Sequence, residues 1–195
     1  MPQRGLLFVE INNIVQLEPQ RGDLFVDKIF VQKKKIIKIF MANTYSQIYI
    51  QIVFAVKGRQ NLIAKQNREE LRKYITGIVQ NRDQKMLSIF CMPDHTHLLI
   101  GLKPNVTISD LVRDIKTGSA QFINDNNWIR GKFQWQEGFG AFSYSKSQID
   151  NVINYILNQE EHHKTRTFKE EYLDFLKKFD IEYNEKYLFE WIEDE

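Results

Sequence analysis

The chain has 195 residues, 43% of them apolar, enough for one domain with an ordinary core or one domain with an appendage. Its formal charge of +2 is too small to argue for a nucleic-acid partner, and a single cysteine, Cys91, excludes an intramolecular disulfide framework and fits a reducing cytoplasm. No apolar run approaches the ~18 residues of a membrane span, so a soluble intracellular protein with no membrane partner is expected. "KKKIIKIF" (Lys33 to Phe40) is short, internal and lacks a cleavage site, unlike a signal peptide.

The first forty residues differ from the rest. "PQRGLLFVE" from Pro2 returns as "PQRGDLFVD" from Pro19. Two copies are too few for a solenoid. One reading is a β-hairpin appendage. The favoured reading is a translated DNA repeat preceding a true start at Met41, which gives an N-terminal extension over 1–40, untranslated or disordered, and a domain over 41–195.

From Met41 the pattern alternates. Tyr45 to Val56 is a strand with Tyr45, Gln47, Tyr49, Gln51 and Val53 on one face and Ile48, Ile50, Ile52 and Phe54 on the other. Gln66 to Asn81 is an amphipathic helix with Leu71, Tyr74, Ile75, Ile78 and Val79 at helical spacing. Lys85 to Met92 and His95 to Leu102 are strands around a "PD" turn. "TISD" opens a helix over Thr107 to Asn127 in the manner of a capping box, with Asp110 for the usual Glu. Extended pieces follow over Gln134 to Tyr144, then helices over Ser147 to His163 and Phe168 to Phe179, and an aromatic tail that docks by Phe189 and Trp191. The order β-α-β-β-α-β predicts an α+β, ferredoxin-like (RRM-like) antiparallel sheet with helices packed on one face.

"CMPDHTHLLIGL" places His95 and His97 two residues apart on a strand, so both imidazoles leave one face and can converge on one metal ion. Thr96, Leu98 and Ile100 then face the core. Asp94 alternates to the other face. In "QIDNVINYILNQEEHH", Ile149, Val152, Ile153, Ile156 and Leu157 form an apolar stripe, and Tyr155 lies roughly 130° from its centre. Tyr155, Gln159 and His163 follow one another a turn apart along one side. A tyrosine oxygen is a competent covalent nucleophile when activated, and an amide oxygen is a reasonable third ligand beside two imidazoles. Each feature alone also fits an ordinary strand histidine pair or a solvated helix face.

Taken together, "MPDHTHLLIGL", "WQEGFGAFSYSKSQID" and "NYILNQEEHHK" resemble the single-tyrosine HUH transposases of the insertion-sequence two-hundred type, including REP-associated relatives. The likeness runs from about Met41 to Trp191. It implies that His95, His97 and Gln159 bind Mg²⁺ or Mn²⁺, and that Tyr155 attacks single-stranded DNA at hairpin-bearing element ends. The product is a 5′-phosphotyrosine and a free 3′-OH. His163 enters as an outer candidate behind the ligands. Thr96 departs from the bulky apolar residue usual between the histidines. The resemblance also implies a homodimer, in which each tyrosine helix can serve the partner's histidines. No G-x-x-x-x-G-K-[ST] is present, so no nucleotide cofactor is expected. Lys57, Arg59, Lys116, Arg130 and Lys132 are candidate phosphate contacts, and Tyr45, Trp128 and Trp135 candidate stacking platforms. The alternatives are a domesticated or non-catalytic binder of single-stranded DNA or hairpins, an RNA-binding sheet, and a small metal-dependent hydrolase. The last needs an acidic ligand near the histidines.

Overall fold

Strand pairing organises the molecule. The structure is a computed structural model describing residues 45–184 and 188, with the side chain of Arg59 outside that set. The expected extension over 1–40, its repeat, and Phe189 and Trp191 also lie outside the described residues.

Four strands, β1 (Ile48–Ala55), β2 (Lys85–Cys91), β3 (His95–Leu102) and β4 (Gly140–Tyr144), form one sheet in the order β2-β3-β1-β4. All three pairings are antiparallel, which is the ferredoxin-like order expected from the sequence. β1 is central because alternate side chains serve two cores. Ile50, Ile52 and Phe54 face helices α1 (Arg68–Asn81) and α2 (Ile108–Asp125), where Leu98, Ile100, Leu71, Ile75, Val79, Leu111 and Ile115 complete the main core. Each such fully buried side chain contributes about 1.5–3 kcal/mol. The Thr107 hydroxyl caps α2 by accepting from the Asp110 N–H, and Asp110 in turn accepts from that hydroxyl.

The opposite face is also covered. Leu99 packs on Ile149, Val152 and Ile156 of α3 (Ile149–Leu157). Val53, Ala55 and Phe142 pack on Phe168, Tyr172, Phe175 and Leu176 of α5 (Phe168–Lys178). The histidine face of β3 is therefore a second interior. Gly140 shows how close α5 lies: a Cβ there would stand 2.9 Å from rings of both Phe142 and Tyr172.

The helix expected over Ser147 to His163 is interrupted. A 3₁₀ turn precedes α3, and α3 ends at Asn158 before the short α4 (Gln159–His162). Asn158 takes ψ 21°, and its side-chain amide donates to the Asn154 carbonyl at 2.8 Å, in competition with the helical pattern. Leu157, expected in the apolar stripe, is 50% exposed. Among the described residues no helix is long and apolar enough to cross a membrane.

Candidate active site

β3 delivers His95 and His97 into the second interior, where they are 1% and 0% exposed. Their strand neighbours on β1 are Ala55 and Val53, small enough to leave room for the rings. The ring centroids stand 5.1 Å apart, and Phe168 stacks on His95 at 4.2 Å.

Each histidine is oriented through Nδ1. His95 Nδ1 meets Asp94 Oδ1 at 2.7 Å, so Asp94 faces the site rather than the opposite side expected from strand alternation. The reason is position: Asp94 lies in the turn before β3, where alternation does not yet apply. His97 Nδ1 meets the fully buried Gln51 amide at 3.2 Å, and the other end of that amide accepts from the Tyr144 hydroxyl at 2.9 Å. His163 Nδ1 meets the Arg166 carbonyl at 2.9 Å.

The structure adds one carboxylate that sequence reasoning missed. Glu171, 2% exposed, lies in the first turn of α5. Thr167 caps that helix reciprocally with Glu170, and the positive end of the helix dipole favours an anion there. Glu171 Oε2 stands 3.4 Å from His97 Nε2 and 3.3 Å from His163 Nε2. Glu171 Oε1 accepts from the Gln159 amide at 3.0 Å and from the Tyr155 hydroxyl. The sequence offers "TFKE" as a capping signature but nothing that aims Glu171 at β3 across the sheet.

His95, His97, His163 and Glu171 offer ligand atoms that all lie within 4.8 Å of one another. His95 Nε2, His97 Nε2, His163 Nε2, Gln159 Oε1 and Glu171 Oε2 are buried without a hydrogen-bond partner. Buried polar atoms are otherwise almost always satisfied, so this convergence fits a bound cation.

Charge follows from burial. Desolvation pulls His95 down to about 4, against the raising effect of Asp94, so its imidazole is neutral and able to ligate at neutral pH. Burial alone would raise Glu171, but the close approach of the His97 and His163 imidazoles outweighs it and holds the carboxyl well below the usual range. Burial, and then the Glu171 charge, push the Tyr155 phenol far above its usual value. His163 is lowered by burial but raised more by Glu171 and the Arg166 carbonyl.

Tyr155 lies half-buried beside the cluster, its ring centroid 6.3 Å from that of His97 in the same chain. Its hydroxyl also stands 3.4 Å from His162 Nε2. A cleft of about 560 Å³ opens beside it, lined by Gln51, Tyr144, Asn151, His162, Arg166 and Lys178 among others. A second cleft of about 560 Å³ touches His95 and His163 from the other side.

The candidate DNA contacts divide. Arg130 and Lys132 are exposed, and Lys57 is exposed with a 3.4 Å bond to Gln134. Nothing is described for the side chain of Arg59. Lys116 is spent on the carbonyls of Gln136 and Gly138, where it ties a loop to α2. Trp135 is a core residue, edge-on to Phe54 and Phe133 with its indole donating to Ser119 at 2.8 Å. Trp128 packs edge-on against Phe122, and Tyr45 is 92% exposed.

With this geometry in place, comparison with known proteins is direct. The profile of the family described as "Transposase IS200 like" matches residues 44–159. The ISDra2 transposase TnpA of Deinococcus radiodurans is 22% identical over 122 residues, covering 59% of this chain and 86% of that protein. A structure of a REP-associated tyrosine transposase bound to a REP hairpin matches with a TM-score of 0.48 and 17% identity, over 63% of this chain and 73% of that one.

Proposed function

This chain belongs to the family of IS200-like transposases, and we propose that it cuts and rejoins single-stranded DNA at hairpin-bearing ends through a 5′-phosphotyrosine on Tyr155. In this reading His95, His97 and Gln159 hold a divalent cation, Mg²⁺ or Mn²⁺. The observation that supports it is the placement of the Tyr155 hydroxyl at the edge of a buried ring of unpartnered nitrogen and oxygen atoms, beside an open cleft.

A bound divalent cation supplies Lewis-acid stabilisation of the charge that develops on a scissile phosphate. The chain's own residues do the rest. Asp94 and Gln51 fix the two strand imidazoles through Nδ1. Glu171 and His162 hold the Tyr155 hydroxyl in place. The phenol oxygen attacks phosphorus in line, an O–P bond forms to tyrosine, and the bond to the 3′ oxygen breaks. The phenol gives up its proton and the departing 3′ oxygen gains one. One phosphodiester replaces another, so rejoining by a 3′-OH needs no nucleotide hydrolysis.

A homodimer is carried over as part of this reading. The 6.3 Å separation of the Tyr155 and His97 rings within one chain supports a site assembled in cis. Lys57, Arg130 and Lys132 are exposed cations available to a phosphate backbone.

The test is a covalent-adduct assay. Labelled single-stranded DNA carrying the end hairpins is incubated with and without Mg²⁺ or Mn²⁺, then resolved under denaturing conditions. A metal-dependent adduct that disappears in Tyr155→Phe is expected. Binding with no adduct in either protein would favour a non-catalytic hairpin binder.

A further inference from the structure

The site is richer in nitrogen than two histidines and a glutamine would make it. His163 lies beyond the last residue of the family match, as does Glu171. Both nevertheless bring a ligand atom to the same point as His95 and His97. The three imidazoles share one arrangement: Nδ1 is tied, to Asp94, to Gln51 and to the Arg166 carbonyl, and Nε2 points inward, that of His95 with no partner and those of His97 and His163 towards Glu171 Oε2 at 3.4 and 3.3 Å. With the Gln51 amide turned so that its oxygen accepts from His97 Nδ1–H and its nitrogen donates to the Tyr144 hydroxyl oxygen, all three Nε2 lone pairs are free. A histidine kept only for packing has no reason to adopt this pattern, and three doing so around one point have a common cause.

Distances agree. Two donors each ~2.1 Å from an ion at a tetrahedral angle stand about 3.4 Å apart. Glu171 Oε2 lies 3.4 Å from His97 Nε2 and 3.3 Å from His163 Nε2. The widest separation in the set, within 4.8 Å, closes with side-chain shifts of a few tenths of an ångström to about an ångström.

We propose that His95, His97, His163 and Glu171 form a three-imidazole, one-carboxylate centre that selects a transition-metal dication over Mg²⁺. Mg²⁺ prefers six oxygens and keeps several of its waters, whereas this set offers three imidazole nitrogens and one carboxylate. Imidazole suits Zn²⁺ and the later first-row dications, and Mn²⁺ is the weakest binder of that row. This inference rests on the metal half of the function proposed above, with His163 and Glu171 in the place given there to Gln159, and is independent of the covalent chemistry.

The full-length protein, stripped with chelator, is dialysed against limiting Zn²⁺ or Mn²⁺ in a large excess of Mg²⁺, and bound metal is counted. About one equivalent of transition metal is expected to remain. His163→Ala and Glu171→Gln are each expected to weaken retention by about tenfold or more. Displacement by Mg²⁺, or unchanged retention in His163→Ala, would overturn the proposal. If either variant fails to fold, Co²⁺ loaded into the wild type decides. Intense visible bands of a four- or five-coordinate ion support the centre, and the faint bands of an octahedral ion refute it. A Mg²⁺-dependent adduct without metal selectivity would retire this inference alone; selective binding without an adduct would retire only the transposase chemistry.

Discussion

The Tyr155 hydroxyl donates to Glu171 Oε1, while the other oxygen of the same carboxylate faces His97 and His163. One side chain thus joins the candidate nucleophile to the candidate metal ligands. After burial, the Glu171 charge is the largest cause raising the Tyr155 phenol. Glu171→Gln removes that charge. The Tyr155 ionisation is expected to move to lower pH in metal-free protein, read as the ultraviolet titration step that Tyr155→Phe lacks. An unmoved step would mean that the carboxylate does not sense the phenol.

His95 gives the metal-free protein a pH dependence of definite sign. Its folded pKa of about 4 lies below the ordinary 6.5. As pH falls through this window the unfolded chain takes up a proton that the folded chain refuses, so stability present above 6.5 is lost towards 4. The shift corresponds to roughly 3 kcal/mol. His163, shifted upward, works in the opposite direction. Denaturant unfolding in EDTA across this window isolates the effect: wild type is expected to lose about 3 kcal/mol more than His95→Asn. Parallel curves would contradict the burial argument.

Much of the fold was legible because periodicity is local. The β-α-β-β-α-β order, the bounds of β3 and the core facing of Leu98 and Ile100 all follow from alternation and helical spacing. The histidine pair was legible for the same reason. Glu171 was not, since its role depends on α5 crossing the sheet and no spacing within the chain encodes that. Asn158 was missed because a side chain competing for a backbone carbonyl looks, in sequence, like one more polar helix residue. For Trp135 and Lys116 a DNA contact and an ordinary structural role were equally open in the sequence, because their partners lie 16 or more residues away. The Trp135 indole finds Ser119 and is buried, while the half-buried Lys116 ammonium finds two carbonyls.

Trp135→Ala should therefore act on stability. Loss of a buried ring contacting Phe54 and Phe133 is expected to cost about 3–5 kcal/mol. DNA affinity of the remaining folded fraction should be unchanged. Wild-type stability with weakened DNA binding would restore the stacking role.

Gly140→Ala tests how tightly α5 is seated. The added methyl meets the Phe142 and Tyr172 rings at 2.9 Å, an overpacking expected to cost about 1–3 kcal/mol in thermal or denaturant unfolding. Because α5 carries Glu171, metal retention should fall with it. A neutral substitution would place α5 farther from β4 than the structure shows.

The most direct test of the central claim is to map the covalent attachment. The protein is trapped on end-hairpin DNA in Mn²⁺, digested with protease and nuclease, and the nucleotide-modified peptide is sequenced by mass spectrometry. The phosphate is expected on Tyr155. Attachment to Tyr144, or to no tyrosine, would contradict the assignment of Tyr155 as the nucleophile.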